Sequence, residues 1–168
     1  YWPKTKIKTY ILDESRRDRV QALADSLGAS YLVPNDDVDG QSGLINFALS
    51  ETKADLILML DGAQTPDRSL LTAVCGWFVR DKKLGMLLTP THFLAPTPLP
   101  LSLALCQVPT LPNNVTFALF RRSALVDIGG VSSGLVSAQA HTALQLPAQG
   151  YGHAYVGCAV KTAEQAAE

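Results

Sequence analysis

Leu56-Ile57-Leu58-Met59-Leu60-Asp61-Gly62-Ala63 is an uninterrupted apolar run that empties into an acidic turn. A strand with no polar alternation suits a sheet covered on both faces, so residues 55–60 are predicted as a strand in the middle of an α/β sheet. A strand that ends in Asp-x-Asp delivers two carboxylates to a divalent cation, whose preferred ligands are oxygens. Here Asp61 supplies the first carboxylate, and Ala63 puts a methyl group where the second would stand.

Outward from this run, strand and helix patterns alternate, the mark of a mostly parallel sheet. Residues 6–12 predict a first strand ending at Asp13. Ser15 is the expected cap of a helix, with Asp18 completing a capping-box pattern, a buried stripe of Val20, Leu23, Ala24 and Leu27, and Gly28 as its stop. Residues 30–33 predict a second strand and 43–50 a short helix presenting Leu44, Ile45, Ala48 and Leu49. Asp67 is the expected cap of a helix over 68–80 with Leu71, Val74, Cys75 and Phe78 inward. Residues 84–88 read as a buried strand, 115–120 as another, and 123–128 as a short helix ended by Gly129-Gly130. Ser137 is expected to cap a last helix, bent at Pro147, before a strand over 153–160. The expectation is one domain over residues 1–160, with an irregular proline-rich excursion at 95–112 and a frayed tail at 161–168.

Composition narrows the function classes. With 168 residues and 47% apolar content the chain can bury a core of its own. A formal net charge of -1 gives no electrostatic ground for nucleic acid. No apolar run approaches the roughly 18 residues of a membrane span, and the lysine-containing start has no apolar signal region. The absence of an initial Met suggests an excised fragment. Cys75, Cys106 and Cys158 are too far apart for a metal cluster and read as reduced thiols. Asp36, Asp37 and Asp39 lack the spacing and glutamate of a calcium loop and read as a solvated turn. No glycine-rich dinucleotide or phosphate-binding loop occurs.

Several blocks together resemble the cytoplasmic GT-A glycosyltransferase domain of bacterial cellulose synthase catalytic subunits. They are residues 61–71 (Asp-Gly-Ala-Gln-Thr-Pro-Asp-Arg-Ser-Leu-Leu), residues 76–84, Thr89-Pro90-Thr91-His92-Phe93 with Pro96-Thr97-Pro98, Arg121-Arg122-Ser123-Ala124-Leu125 with Ile128-Gly129-Gly130, and Ala140-His141-Thr142-Ala143-Leu144. The resemblance implies a GT-A-like three-layer α/β sandwich, with a mostly parallel central sheet and helices on both faces. It also implies a lineage that transfers glucose from UDP-glucose to a β-1,4-glucan, in a domain on the inner face of the bacterial inner membrane within a larger membrane protein.

That chemistry demands metal-binding carboxylates, a nucleotide pocket and a general base. The family's Asp-Asp-Gly stands here as Asp13-Glu14-Ser15, so Asp13, Glu14 and Asp61 are the residual nucleotide-binding candidates. The family's Ala-Lys-Ala-Gly-Asn loop stands as Gly40-Gln41-Ser42-Gly43-Leu44 and loses its Lys and Asn. Thr-Glu-Asp stands as Ser137-Ala138-Gln139, so Gln139 holds the position of the base, and Ala63 holds that of the metal ligand. The expectation is therefore a catalytically inactive scaffold or regulatory module of an exopolysaccharide synthase, without catalytic residues, metal ligands or cofactor. Its partners would be other subunits of the synthase complex, with residual UDP or UDP-glucose contact. The alternative is an active UDP-glucose-dependent transferase with substitute ligands such as Glu14 or Asp67, which would need Mg²⁺ or Mn²⁺.

Overall fold

The structure, a computed structural model, describes residues 3–34, 38, 40–60, 64–66, 68–89, 91–93, 117–131, 138–156 and 160–162. The proline-rich excursion, Asp61, Ala63, Asp67, Ser137, Cys106 and Cys158 lie outside them.

Three sheets carry the fold among the described residues. Strands β1 (Tyr10–Leu12) and β2 (Ser30–Leu32) pair in parallel around helix α1 (Asp18–Leu27). Helix α2 (Gly40–Glu51) then leads into β3 (Leu56–Met59). After a short strand β4 (Gln64–Thr65) come helix α3 (Leu70–Arg80), β5 (Leu84–Thr89) and β6 (Thr91–Phe93). The described chain continues with β7 (Phe117–Arg121), α4 (Arg122–Asp127), α5 (Ala138–Gln145), β8 (Gly152–Tyr155) and β9 (Val160–Thr162). The larger sheet has the order β3-β7-β5-β8. Strand β7 runs antiparallel to both β3 and β5, and β8 runs parallel to β5, so three of the four strands point the same way. The α/β expectation holds, in a sheet that is mixed.

Every residue of β5 is buried. One face of the sheet meets α3 through Leu70, Val74, Cys75 and Phe78; the other buries Met86, Leu88, Phe120, Leu125 and Leu146. Leu56 and Leu58 pack with the first set, Ile57 and Met59 with the second, so β3 has apolar neighbours on both sides. Trp77 is half-exposed while the adjacent Phe78 is buried, as expected for at least one of the pair.

Several boundaries differ from the sequence expectation, each for an identifiable reason. The first strand is shorter, because residues Lys4–Lys6 turn as a 3-10 helix. Ser15 does not cap α1: the helix starts at Asp18 behind Arg17. The backbone N–H groups of Ser15 and Arg17 both donate to the Asp13 carboxylate, which holds the turn in place of a capping hydroxyl. Leu23 and Leu27 are 54% and 70% exposed, since a two-stranded β1–β2 surface is too narrow to cover the whole stripe, and Ala24 alone in α1 is fully buried. Gly28 ends the helix in a left-handed conformation as expected. Helix α3 starts behind Ser69 with no side-chain cap. Strand β3, expected in the middle of a sheet, is an edge strand among the described pairings. The predicted strand over 153–160 is two strands, β8 and β9. Lys161 and Thr162, expected to fray, pair in register with Thr65, His92, Gln64 and Phe93 in a third sheet of order β4-β9-β6. The last helix passes into a 3-10 turn, Leu146–Gln149, at Pro147, as its bend predicted.

Arginines pin the ends of two helices. The Arg121 guanidinium donates to the carbonyls of Phe78 (2.7 Å), Asp81 (3.0 Å) and Leu84 (2.9 Å), and lies 5.4 Å from the centre of the Phe78 ring. Arg122 donates to the Leu49 carbonyl near the end of α2 and to Thr52. Cationic donors at unsatisfied helix carbonyls stabilise a C-terminus. A second tie runs from α2: Asn46 donates to the Val131 carbonyl (2.9 Å) and accepts from the Val131 N–H (2.7 Å). Gly130 sits beneath it at φ +98, and a Cβ there would fall 2.4 Å from the Asn46 side-chain oxygen.

Candidate functional site

In open α/β sheets, ligands gather beyond the carboxyl ends of the parallel strands. Asp13 follows β1 by one residue, so this candidate falls where the topology would place a site. Asp13 is described in full. It is 3% exposed, and its carboxylate is surrounded by donors. Arg17 Nε and Nη2 lie 3.2 and 3.0 Å from Oδ1, the Arg17 N–H is 3.0 Å from Oδ2, the Ser15 N–H is 3.2 Å from Oδ1, and the Tyr31 hydroxyl is 2.8 Å from Oδ2.

This arrangement grows from local sequence. Arg17 is four residues beyond Asp13 and reaches back over the turn, while Tyr31 on β2 is in register with Ile11 on β1. Arg16 adopts φ 52, the left-handed conformation that lets the chain double back within hydrogen-bonding reach of Asp13. The Arg17 guanidinium holds the Asp13 carboxyl far below the usual carboxylate range. Burial opposes this, and the Arg17 N–H, the Tyr31 hydroxyl and the Ser15 N–H reinforce it. The Tyr31 hydroxyl is pushed above its ordinary value by burial and by its bond to Asp13.

A lowered native pKa means stability that is full above the unfolded carboxylate pKa of about 3.9 and fades as pH falls below it. Asp13→Asn is therefore expected to lower stability at pH 7, with its deficit against the parent chain shrinking below about pH 4. Urea unfolding of both chains at pH 7, 5 and 3 measures the two curves. Parallel curves would contradict the charge-assisted role.

The other candidates separate from Asp13 in what they can offer. Glu14 is exposed on the same turn. Asp61 and Ala63 lie outside the described residues. Gln139 is in the first turn of α5. His92 is in β6 opposite Lys161, and His153 is exposed in β8. Cys75 is a buried free thiol whose pKa is raised by burial, as a packing residue requires.

Asp13 has its oxygens taken by the protein's own donors, position 63 carries no ligand atom, and a carboxamide at 139 is not basic near neutral pH. Among the described residues no group of three or more His, Cys, Asp or Glu side chains converges. An open cleft of about 600 Å³, lined by Asp55, Phe78, Lys82, Arg121, Arg122 and Asp127, lies at the opposite, amino end of β3 and is separate from these candidates. Sequence reasoning had not singled out Arg17, Tyr31 or Asn46. The i,i+4 spacing of Asp13 and Arg17 was the available signal for the first.

No protein-family model matches the chain. It is 34% identical, over 92% of its length, to the cellulose synthase 1 catalytic subunit [UDP-forming] of Komagataeibacter xylinus, of which it covers 23%. It is also 34% identical over 92% of its length to the cellulose synthase catalytic subunit [UDP-forming] of Pseudomonas fluorescens, covering 24% of it. The chain thus spans about a quarter of the length of these relatives. Among solved structures it matches the mannosyltransferase PcManGT of Pyrobaculum calidifontis, solved with GDP-Man and Mn²⁺. The TM-score is 0.72 at 18% identity, over 99% of this chain and 50% of that one. Among the described residues no helix is long and apolar enough to cross a membrane. Fold and sequence agree: the chain is a cellulose-synthase-like domain of GT-A fold.

Proposed function

We propose that this domain has lost sugar transfer and serves as a scaffold or regulatory module in an exopolysaccharide (cellulose) synthase. It would do so at the cytoplasmic face of the inner membrane, as part of a larger membrane protein, alongside other subunits of the complex. The observation that carries this reading is the donor set. Asp13 spends its carboxylate on Ser15, Arg17 and Tyr31, while Ala63 and Gln139 replace the cation ligand and the base. Loss of a general base costs about 10²–10⁴ in rate. Loss of cation clamping on a diphosphate removes several kcal/mol more of transition-state stabilisation. Either is sufficient to make turnover negligible.

The test is calorimetric titration of the 168-residue chain with UDP, with and without Mn²⁺. The expected result is the same weak or absent binding in both. Micromolar affinity that requires Mn²⁺ would overturn the proposal and favour an active transferase using Glu14 or Asp67. Metal-independent affinity abolished by Asp13→Ala would instead mark a plain nucleotide-binding module.

A further inference from the structure

The open cleft of about 600 Å³ lies where β3 begins and the antiparallel β7 stops, since Leu56 stands opposite Arg121. Three connections meet around it: residues 52–55 between α2 and β3, residues 81–83 between α3 and β5, and the step from β7 into α4 at Arg121-Arg122. Residues 51–55, 80–83 and 121–127 together hold six Lys or Arg against four Asp or Glu, in a chain whose formal net charge is -1.

The two kinds of cation there differ in what they have left to give. Arg121 is committed to the carbonyls of Phe78, Asp81 and Leu84, and Arg122 to Leu49 and Thr52. Lys53, Arg80, Lys82 and Lys83 are exposed and make no ion pair among the described residues. Of the nearby carboxylates, Asp127 accepts from the Tyr151 hydroxyl (2.6 Å) and Asp81 from the Lys83 N–H (2.8 Å). Asp55 on the rim is the group that an incoming anion must pass.

The walls are apolar. Leu56 and Phe78 line the cleft with Val79 of α3 and Val126 of α4, and both valines are exposed. An apolar recess rimmed by cations matches a ligand with an apolar anchor and flanking carboxylates. The anchor supplies affinity by desolvation, and the rim charges supply steering and register.

We propose that this face is a docking site for an acidic segment of a partner polypeptide. The segment seats an aliphatic or aromatic side chain between Val79 and Val126 and lays its carboxylates along Lys53, Lys82 and Lys83. The proposal rests on the scaffold reading and adds to it a surface and the chemistry of the partner. A second copy of this chain is the weaker occupant, because an isologous contact sets the same excess of positive charge against itself. A small anion such as phosphate leaves the apolar walls uncovered.

Calorimetric titration of the 168-residue chain with short blocked peptides tests this. One is rich in Asp and Glu around a central Leu-Phe pair; a second keeps the acidic residues around Ser-Ser; a third keeps Leu-Phe and carries Lys at every acidic position. The Leu-Phe acidic peptide is expected to bind about tenfold or more tightly than either of the others. Lys82→Glu with Lys83→Glu should weaken it about tenfold or more and admit the lysine peptide instead. Val79→Ser with Val126→Ser, on exposed positions, should erase only the advantage of Leu-Phe over Ser-Ser. Amide shifts on binding should centre on Asp55, Val79 and Val126. The proposal is overturned if the Leu-Phe acidic peptide does not bind, if the Ser-Ser or lysine peptide binds as well, or if both variants behave as the parent. Shifts centred on Asp13, displacement by inorganic phosphate at equal affinity, or shifts at Val79 and Val126 that follow protein concentration alone would overturn it too. No titration contains UDP, so a failed peptide result leaves the loss of sugar transfer standing, and Mn²⁺-dependent UDP affinity would leave peptide binding standing.

Discussion

Replacing Phe120 with Ala is expected to cost about 3–5 kcal/mol of folding free energy, the range for emptying a fully buried aromatic site. For a chain of this size that corresponds to a fall in Tm of roughly 6–20 °C, at about 2–4 °C per kcal/mol. Phe120 has 0% exposure and stands in β7 between Ile57 on β3 and Met86 on β5, in the register of both ladders. Its ring fills the same cluster as Leu88, Leu125 and Leu146, which reach it from β5, α4 and the turn after α5. Losing it opens a cavity where three elements meet, and rigid strands on either side limit how far the walls collapse. Val79→Ala on the exposed side of α3, at 71% exposure, is the control and is expected within about 0.5 kcal/mol of the parent. Urea unfolding with a shared m-value measures both. A Phe120→Ala loss below about 1 kcal/mol would mean that β7 does not sit between β3 and β5.

Legibility tracked the length and continuity of apolar pattern. The run Leu84–Leu88 could be read as a strand buried on both faces because no polar residue interrupts it, and the strand, which extends to Thr89, is buried throughout. The α3 stripe was legible for the same reason, with a 3.6-residue period carrying Val74, Cys75 and Phe78 inward. Strands β4, β6 and β9 were not legible. Gln64–Thr65, Thr91–Phe93 and Val160–Thr162 are too short to show any period, and each exists because a partner far away in sequence offers a ladder. The turn after β1 was misread through a genuine competition. Ser15 and Asp18 make a plausible capping pattern, but Asp13 accepts from both the Ser15 and the Arg17 N–H and delays the helix to Asp18. Arg121 and Arg122 entered the sequence reading as part of a family resemblance. Their acceptors, carbonyls 37 to 73 residues away, leave no mark in local pattern. At the site, Ala63 and Gln139 could be singled out only against the family's motifs. The closure of Asp13 was not, since Tyr31 approaches it from another strand.

Ala63→Asp is expected to make UDP binding depend on Mn²⁺, with an affinity gain of about tenfold or more on adding the ion, or about 1.4 kcal/mol at the least. The substitution rebuilds Asp-x-Asp after β3, returning a second oxygen donor beside Asp61, and hard divalent cations bridging a diphosphate are held by such carboxylates. The same change should leave metal-independent UDP binding where it stands, because it adds nothing for the base or ribose. Adding Gln139→Asp supplies a group that can take a proton from an acceptor hydroxyl. A gain of about 10²–10⁴ in UDP release is then expected in the double variant over Ala63→Asp alone. Gln139→Asp by itself should gain far less, since a base acts on a donor that must first be held. Calorimetry with UDP in the presence and absence of Mn²⁺, followed by a UDP-release assay with UDP-glucose, separates the two contributions. No metal dependence in Ala63→Asp would move the deficiency to the start of α2, where Gln41 and Leu44 stand in place of the family's Lys and Asn, and Gln41→Lys with Leu44→Asn would then be the variant expected to tighten UDP.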